Sequence, residues 1–462
     1  MYPGGLGRRK DVEVSDSLRV TIEGLDADGR GVAEVGRRSA LVSQAYPGEE
    51  VVFAIDRKTR GTFQGRVKRL ITPSEDRVDH PCPHEFTCTG CPLLALSPEA
   101  EEGFKIDKLQ DVFGEVAHEH DSVEFDYVVP TESFGYRHYA KQVFGVERGR
   151  VVLGSFVAGT HDLVDNEGCP VLVEPLQDLL SELVDEVRAL GLRVHVGEEQ
   201  GLRFAVARAS RFSGEVLLVL STSDPRHGEP SRPLRKLMDQ MVDKIPILAG
   251  VVLLLNQDSG HSLLAGEVLA EVGASAITEA LLGHEYSIGP RSFFQVNPVS
   301  AETLFEVALA FAGEGSRCLE LFAGVGALTF GLAANFEEVR AVELVPEAVS
   351  ALNRRAQELG LNVEGSVGDA TDVASLLAEF DAPVCVADPP RRGLGEALCA
   401  QLVESRVERL VLLSCEPNSL RRDLPILIEG GFRLREVCGV DQFPRTAHIE
   451  TVTLLERTVE RD

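Results

Sequence analysis

No run of about 18 apolar residues occurs anywhere in this chain, so nothing in it reads as a membrane-spanning helix. The opening MYPGGLGRRK also lacks the apolar core of a secretory leader. A cytoplasmic protein without a membrane partner is therefore expected. Paired disulfides are missing as a theme too: nine cysteines, an odd number, do not fit a disulfide framework in a chain of this size. Lysine is scarce, and arginine supplies most of the positive charge. The net charge of −27 excludes a broadly basic surface for nucleic acid. The deficit is uneven, because residues 1–70 hold 13 Lys/Arg against 10 Asp/Glu. Any nucleic-acid contact must then be a local arginine patch.

What is present suffices for two or three domains in 462 residues. Residues 13–72 alternate as short strands: SLRVTIEGL, GVAEVG, SALVSQ, EEVVFAID and TFQGRVKRL, separated by turns such as DADGRG and YPGE. The pattern predicts a small β-barrel of the kind that binds oligonucleotides, with Arg57, Lys58, Arg60, Arg66, Lys68 and Arg69 clustered at its end. A solvated basic edge is the plainer account of that cluster. The segment resembles the TRAM domain, an OB-like RNA-binding module.

HPCPHEFTCTGCP follows, placing Cys82, Cys88 and Cys91 at C-x5-C-x2-C spacing, and Cys169-Pro170 lies well downstream. Four thiolates so arranged can hold zinc or an iron–sulfur cluster. Three close cysteines with a distant Cys-Pro favour a [4Fe–4S] cluster. Residues 97–290 mix helices and strands, among them an amphipathic helix over 176–191 and strands at 215–221 and 247–256. YRHYAKQVFGV (136–146) predicts a sheet that returns Cys169 to the first three cysteines. Tyr136, Arg137, His138 and Lys141 are read as surface residues.

The character changes at SFFQVNP (292–298). RCLELFAGVGALTFGLAANF predicts a strand at 317–322, a turn through Gly324 and Gly326, and a helix from about Leu328. Glu343 ends the next strand, where a carboxylate can accept both ribose hydroxyls. VGDATD offers Asp369 for an adenine amino group, and VCVADPPRRG puts Asp388 after a fourth strand. A G-x-G turn with no third glycine and a DPP loop point to S-adenosylmethionine rather than a dinucleotide. VLLSCEPNSLRRDL (411–424) reads as a buried strand ending at Cys415, with Asn418 capping the helix that follows. A thiol there implies covalent chemistry: addition at carbon 6 of a pyrimidine makes carbon 5 nucleophilic. The carbon-5 proton then needs a base, and HIETVTLLE supplies Glu450, with His448 beside it.

SCEPNSLRRDL, ADPPRRG, SFFQVN, LFAGVGALT and FPRTAHIETV resemble the RNA uracil-5-methyltransferase family, and the cysteine spacing resembles its iron–sulfur branch. The resemblance spans essentially the whole chain. It implies an α/β protein with a flexible tail (1–12), a TRAM/OB-like barrel (13–74), a central α+β domain carrying the cluster (75–291) and a Rossmann-like class I methyltransferase domain (292–462). It implies Cys415 as nucleophile and Glu450 as base. Gln295, Phe322, Glu343, Asp369 and Asp388 become S-adenosylmethionine contacts, and Cys82, Cys88, Cys91 and Cys169 become cluster ligands. The expected activity is 5-methyluridine formation in structured RNA by a monomer, with 23S ribosomal RNA as substrate and transfer RNA as the alternative. Arg391, Arg392, Arg421, Arg422 and Arg445 are expected to grip phosphates. The rivals are a methyltransferase acting on a base amino group and a non-catalytic, cluster-bearing RNA-binding protein. The sequence departs from the family at Ala327, where asparagine is usual, and at Glu416-Pro417, where Asn-Pro is usual.

Overall fold

A computed structural model describes residues 17–117, 123–157, 160, 162–197, 199–224, 229–257 and 263–457. The expected tail at 1–12 lies outside them. The chain divides into two compact units. One comprises the chain up to Glu102 with Val157–Val164 and Arg445–Ala447; the other holds Gly103–Phe156, Asp165–Pro444 and the residues from His448 onward.

In the first unit, β1 (Ser17–Thr21), β2 (Gly24–Leu25), β3 (Gly31–Val35), β4 (Arg38–Ser43), β5 (Glu50–Lys58) and β6 (Thr62–Thr72) form a sheet in the order β1-β5-β6-β4-β3-β2. Alternating apolar positions bury one face, where Ile22, Ala40, Val42, Val51 and Phe53 make the core. The cysteine-bearing loop after β6 is tied to this sheet by buried polar groups. Glu49 is fully buried and bonds the Arg77 guanidinium, and Arg77 also reaches Glu85 and the Gln44 carbonyl. Tyr46 receives a hydrogen bond from the Ala95 amide. The unit also takes in the start of helix α1 (Pro98–Ala117).

The second unit contains two large sheets, apart from Leu163 and Val164 of β10, which count with the first unit. After β7 (Glu124–Val128) come β8 (Tyr139–Glu147), β9 (Arg150–Phe156), β10 (Leu163–Asp165), helix α2 (Glu174–Ala189), β11 (Leu202–Ala209), β12 (Val216–Thr222), helix α3 (Arg232–Lys244), β13 (Leu248–Leu255) and β14 (Glu267–Gly273). The seven strands β8–β14 pair in the order β10-β9-β8-β11-β12-β13-β14. Leucines of α2 and α3 cover one face of them. A hairpin, β15 (Ile277–Leu281) with β16 (His284–Ile288), leads to helix α4 (Pro298–Ala312), whose first turn is capped by the Asn297 side chain.

The remaining elements alternate: β17 (Gly315–Leu321), α5 (Thr329–Asn335), β18 (Phe336–Glu343), α6 (Pro346–Leu359), β19 (Val363–Val367), α7 (Ala374–Phe380), β20 (Val384–Ala387), α8 (Glu396–Glu404), β21 (Arg409–Ser414), α9 (Pro417–Glu429), β22 (Phe432–Val440) and β23 (Glu450–Arg457). Their sheet runs β19-β18-β17-β20-β21-β23-β22-β7, parallel except for β23. Helices α4, α5 and α6 pack on one face, and α1, α7, α8 and α9 on the other. This is the doubly wound arrangement of a class I methyltransferase. Strand β7 precedes residue 292, yet it pairs with β22 and so belongs to this sheet rather than to the central one.

One local expectation is corrected. The helix after Cys415 starts at Pro417, not Ser419, and its N-cap position is Glu416. Proline suits the first helical position because no amide hydrogen is needed there. Asn418 lies inside the first turn and donates to the Glu416 carboxylate. Among the described residues no helix is long and apolar enough to cross a membrane.

Candidate active site

The strand order reverses between β17 and β20, which opens a crevice at the carboxyl ends of the parallel strands. Asp388 follows the last residue of β20 and Cys415 the last residue of β21. Antiparallel β23 starts at the same end, with Thr451 opposite Ser414. One step further along this register brings Glu450 level with Cys415. Leu321 pairs with Ala387, so Phe322 sits beside Asp388, whose amide donates to the Leu321 carbonyl at 3.4 Å. Thiol, acid and turn thus converge from four strands far apart in sequence.

The electrostatics are dominated by burial. It pushes the Cys415 thiol up to about 11, and Glu450 and Asp388 push in the same direction while Arg391 opposes them. Burial also raises Glu450 to about 8, with Asp388 adding and Arg391 subtracting. Asp388 itself is raised to about 6 by burial. Burial thus favours the neutral form of all three groups, and the charge of Arg391 opposes it at Cys415 and Glu450.

The residues expected to meet the cofactor lie at the carboxyl ends of the other parallel strands: Phe322 after β17, Glu343 at the end of β18 and Asp369 after β19. Gly324 and Gly326 hold φ of 57° and 90°, and a Cβ on Gly326 would press on Leu352 and Phe330. Phe322 also takes a positive φ, 64°, an uncommon state for a bulky residue and one found at functional turns. Both oxygens of Glu343 are fixed by backbone amides, one from Gly324 at 3.0 Å and the other from Val345 at 2.9 Å. Asp369 is exposed, and hydrogen bonds from Thr371 hold its carboxyl below the usual range. Gln295 is anchored by the buried Gln442, whose side-chain amide donates to it at 3.0 Å. Asn297 in turn donates to the Gln442 carbonyl at 3.1 Å. Just ahead of Gln295, Phe293 is 79% exposed.

Two site residues escaped the sequence reading. Arg391 stood among the arginines expected to hold phosphate, yet its charge acts on both Cys415 and Glu450. Glu320, fully enclosed in β17, is raised to about 8 by burial, with Asp388 and Glu343 adding to the effect. Its signal was a lone carboxylate inside the apolar run RCLELF. The arginine patch needs revision as well. Arg445 is buried in the first unit against Glu101 at 3.3 Å. Arg421 pairs with Asp111, and Arg422 with Asp423. A guanidinium already neutralised by a carboxylate gains little from a phosphate, which leaves Arg391 and Arg392 of the five.

Three of the four expected cysteine ligands share one loop of the first unit. Cys82, Cys88 and Cys91 are half-buried on one loop, and Cys88 lies near enough to Cys82 to raise its pKa further, although burial is the larger cause. Cys169 belongs to the second unit. Among the described residues no three His, Cys, Asp or Glu side chains are grouped closely enough to hold a metal.

Known proteins match this architecture. The model of the tRNA (Uracil-5-)-methyltransferase family fits residues 371–458, the stretch from Thr371 through Cys415 to Glu450 and beyond. A general methyltransferase-domain model fits residues 318–397. An RNA methyltransferase of Halalkalibacterium halodurans is 33% identical over 96% of this chain and 98% of its own length. One from Bacillus cereus is 30% identical over the same shares. Among solved structures, the Pyrococcus abyssi tRNA (uracil-54, C5)-methyltransferase in complex with S-adenosyl-L-homocysteine superposes with a TM-score of 0.75 at 24% identity. That match covers 95% of this chain and all of the other, and it speaks for the fold. With a relative at this identity along nearly its full length, the chain belongs to the RNA methyltransferase family, and its residues 371–458 match the uracil-5-methyltransferase model.

Proposed function

We propose that the protein transfers a methyl group from S-adenosylmethionine to carbon 5 of a uridine in structured RNA. The observation that carries this is the register of β21 against β23, which sets Cys415 level with Glu450 beside Asp388. The Cys415 thiolate adds to carbon 6 and pushes electrons onto the uracil carbonyl. Carbon 5 then attacks the methyl group, and the carbon–sulfur bond of the sulfonium breaks to leave S-adenosylhomocysteine. Glu450 takes the carbon-5 proton, the double bond re-forms and the thiolate leaves. The bound sulfonium adds a positive charge to a crevice with three buried acids, which favours their ionised forms. The target base must leave its stack to reach the half-buried thiol.

The substrate proposed is 23S ribosomal RNA, with transfer RNA as the competing one. The six-stranded N-terminal sheet is proposed to be a TRAM-type RNA-binding barrel. Cys82, Cys88, Cys91 and Cys169 are proposed to hold a [4Fe–4S] cluster, a reading that rests on their spacing and on the shared loop of the first three. Anaerobically purified protein should then contain about four irons per chain, and one stoichiometric zinc would refute the cluster.

The catalytic test separates the two groups. Cys415→Ala should abolish methylation and any covalent enzyme–RNA species. Glu450→Gln keeps the shape but cannot take a proton, so methylated RNA should stay bound to Cys415 as a shifted band on a denaturing gel. Normal turnover by Glu450→Gln would exclude it as the base. Mapping 5-methyluridine in cellular RNA with and without the protein identifies the substrate.

A further inference from the structure

The turn after Asp388 and the helix after Cys415 come from neighbouring strands, and a set of hydrogen bonds centred on one buried carboxylate joins them. Asp423, on the second turn of α9, is fully buried. One of its oxygens accepts from the Leu394 amide at 2.8 Å and the other from the Gly395 amide at 3.3 Å. Its neighbour Arg422 bonds the Asp423 carboxylate at 2.8 Å and donates to the Arg392 carbonyl at 2.6 Å. The turn closes on itself through the Gly393 amide and the Pro390 carbonyl, 2.8 Å apart. Gly393 has a φ of 70°, and a Cβ there would collide with the Asp423 carboxylate. Residues 390–395 are thus held at three backbone positions, and Arg391 is carried at the head of the clamped segment.

We propose that Arg422 and Asp423 are positioning residues that clamp the Pro390–Gly395 turn onto the helix after Cys415 and, because this turn leaves β20 alongside β21, set where Arg391 stands relative to the thiol and Glu450. A carboxylate buried on two backbone amides resists displacement, because moving the turn would strip those two donors from a buried charge and leave it only the Arg422 guanidinium. The arrangement converts the spacing of two loops into the spacing of a cation and a nucleophile. This rests on Cys415 being the reactive thiol, as proposed above.

The test reads the thiol directly, in the full-length protein without RNA. The alkylation rate of Cys415 by iodoacetamide, followed by the mass of its peptide, is measured across pH. Arg391→Gln sets the reference for a site without the cation. Asp423→Asn should slow alkylation at pH about 8 by roughly five- to tenfold, the change given by a pKa rise of up to about one unit. It should coincide with Arg391→Gln, and the double variant should go no further. Arg422→Gln should shift the profile the same way but less, since the Asp423 bonds to Leu394 and Gly395 remain. A wild-type profile in an Asp423→Asn protein that melts like the parent would overturn the proposal. If Asp423→Asn does not fold, Arg422→Gln decides, because that side chain is partly exposed and a parental profile would again overturn it. Persistence of methylation in Cys415→Ala would refute the function instead, and the alkylation profile does not depend on that result.

Discussion

At the scale of single residues, the candidate site was legible where an unusual neighbourhood in the sequence drew attention to a residue. Cys415 at the end of an apolar strand, Glu450 among Ile449, Val452 and Leu454, and the glycines at 324 and 326 all announced themselves. Glu320 did not, because a carboxylate in a strand reads as a surface position unless burial is known. Its consequence is a pH-dependent load on the fold. The unfolded side chain ionises near the ordinary glutamate value, whereas the folded one does so only near about 8. Between those values unfolding releases a proton, so stability falls as pH rises through that window. Glu320→Gln removes this slope. In denaturant titrations the variant should gain on the wild type by an amount on the order of a few kcal/mol between pH about 5 and 8. An offset equal at both pH values would show that Glu320 ionises normally.

At the scale of elements, period and punctuation located most pieces. The helix expected at 176–191 spans Glu174–Ala189, and the strand expected at 247–256 spans Leu248–Leu255. What could not be read was pairing between distant segments. Strand β7 joins β22 although the two lie near opposite ends of the second unit's sequence, and nothing in EFDYV names that partner. Nor does α1 disclose that Lys105, fully buried, meets Asp441 at 2.7 Å, with the Tyr127 hydroxyl donating to the same oxygen at 3.2 Å. This pair fixes the segment that holds Gln442 against Gln295. Lys105→Met strands a buried carboxylate and should cost about 3–5 kcal/mol in urea unfolding. It should also weaken S-adenosylmethionine binding in whatever fraction stays folded. A variant with unchanged stability would mean that the Tyr127 hydroxyl and the Phe443 amide suffice for Asp441.

At the scale of the whole molecule, charge is the governing quantity. A chain carrying −27 repels RNA at long range, so its affinity must come from a few cations without carboxylate partners. Arg57, Arg60, Lys68 and Arg69 are exposed on β5, β6 and their connection, whereas Arg66 is committed to Asp56 at 2.9 Å. Alanine at those four positions should weaken RNA binding and flatten its salt dependence by about one unit of slope for each phosphate left unneutralised. Arg66→Ala should change the slope little. An unaltered slope in the fourfold variant would assign RNA binding elsewhere. The order of the large sheet has a consequence for assembly. Strand β23 lies between β21 and β22, yet it follows both in the chain. During synthesis, then, the edge of β21 stays open and β22 has no neighbour on that side until β23 inserts. The same insertion brings Glu450 level with Cys415, so closing this gap in the sheet and assembling the proposed catalytic pair are one event.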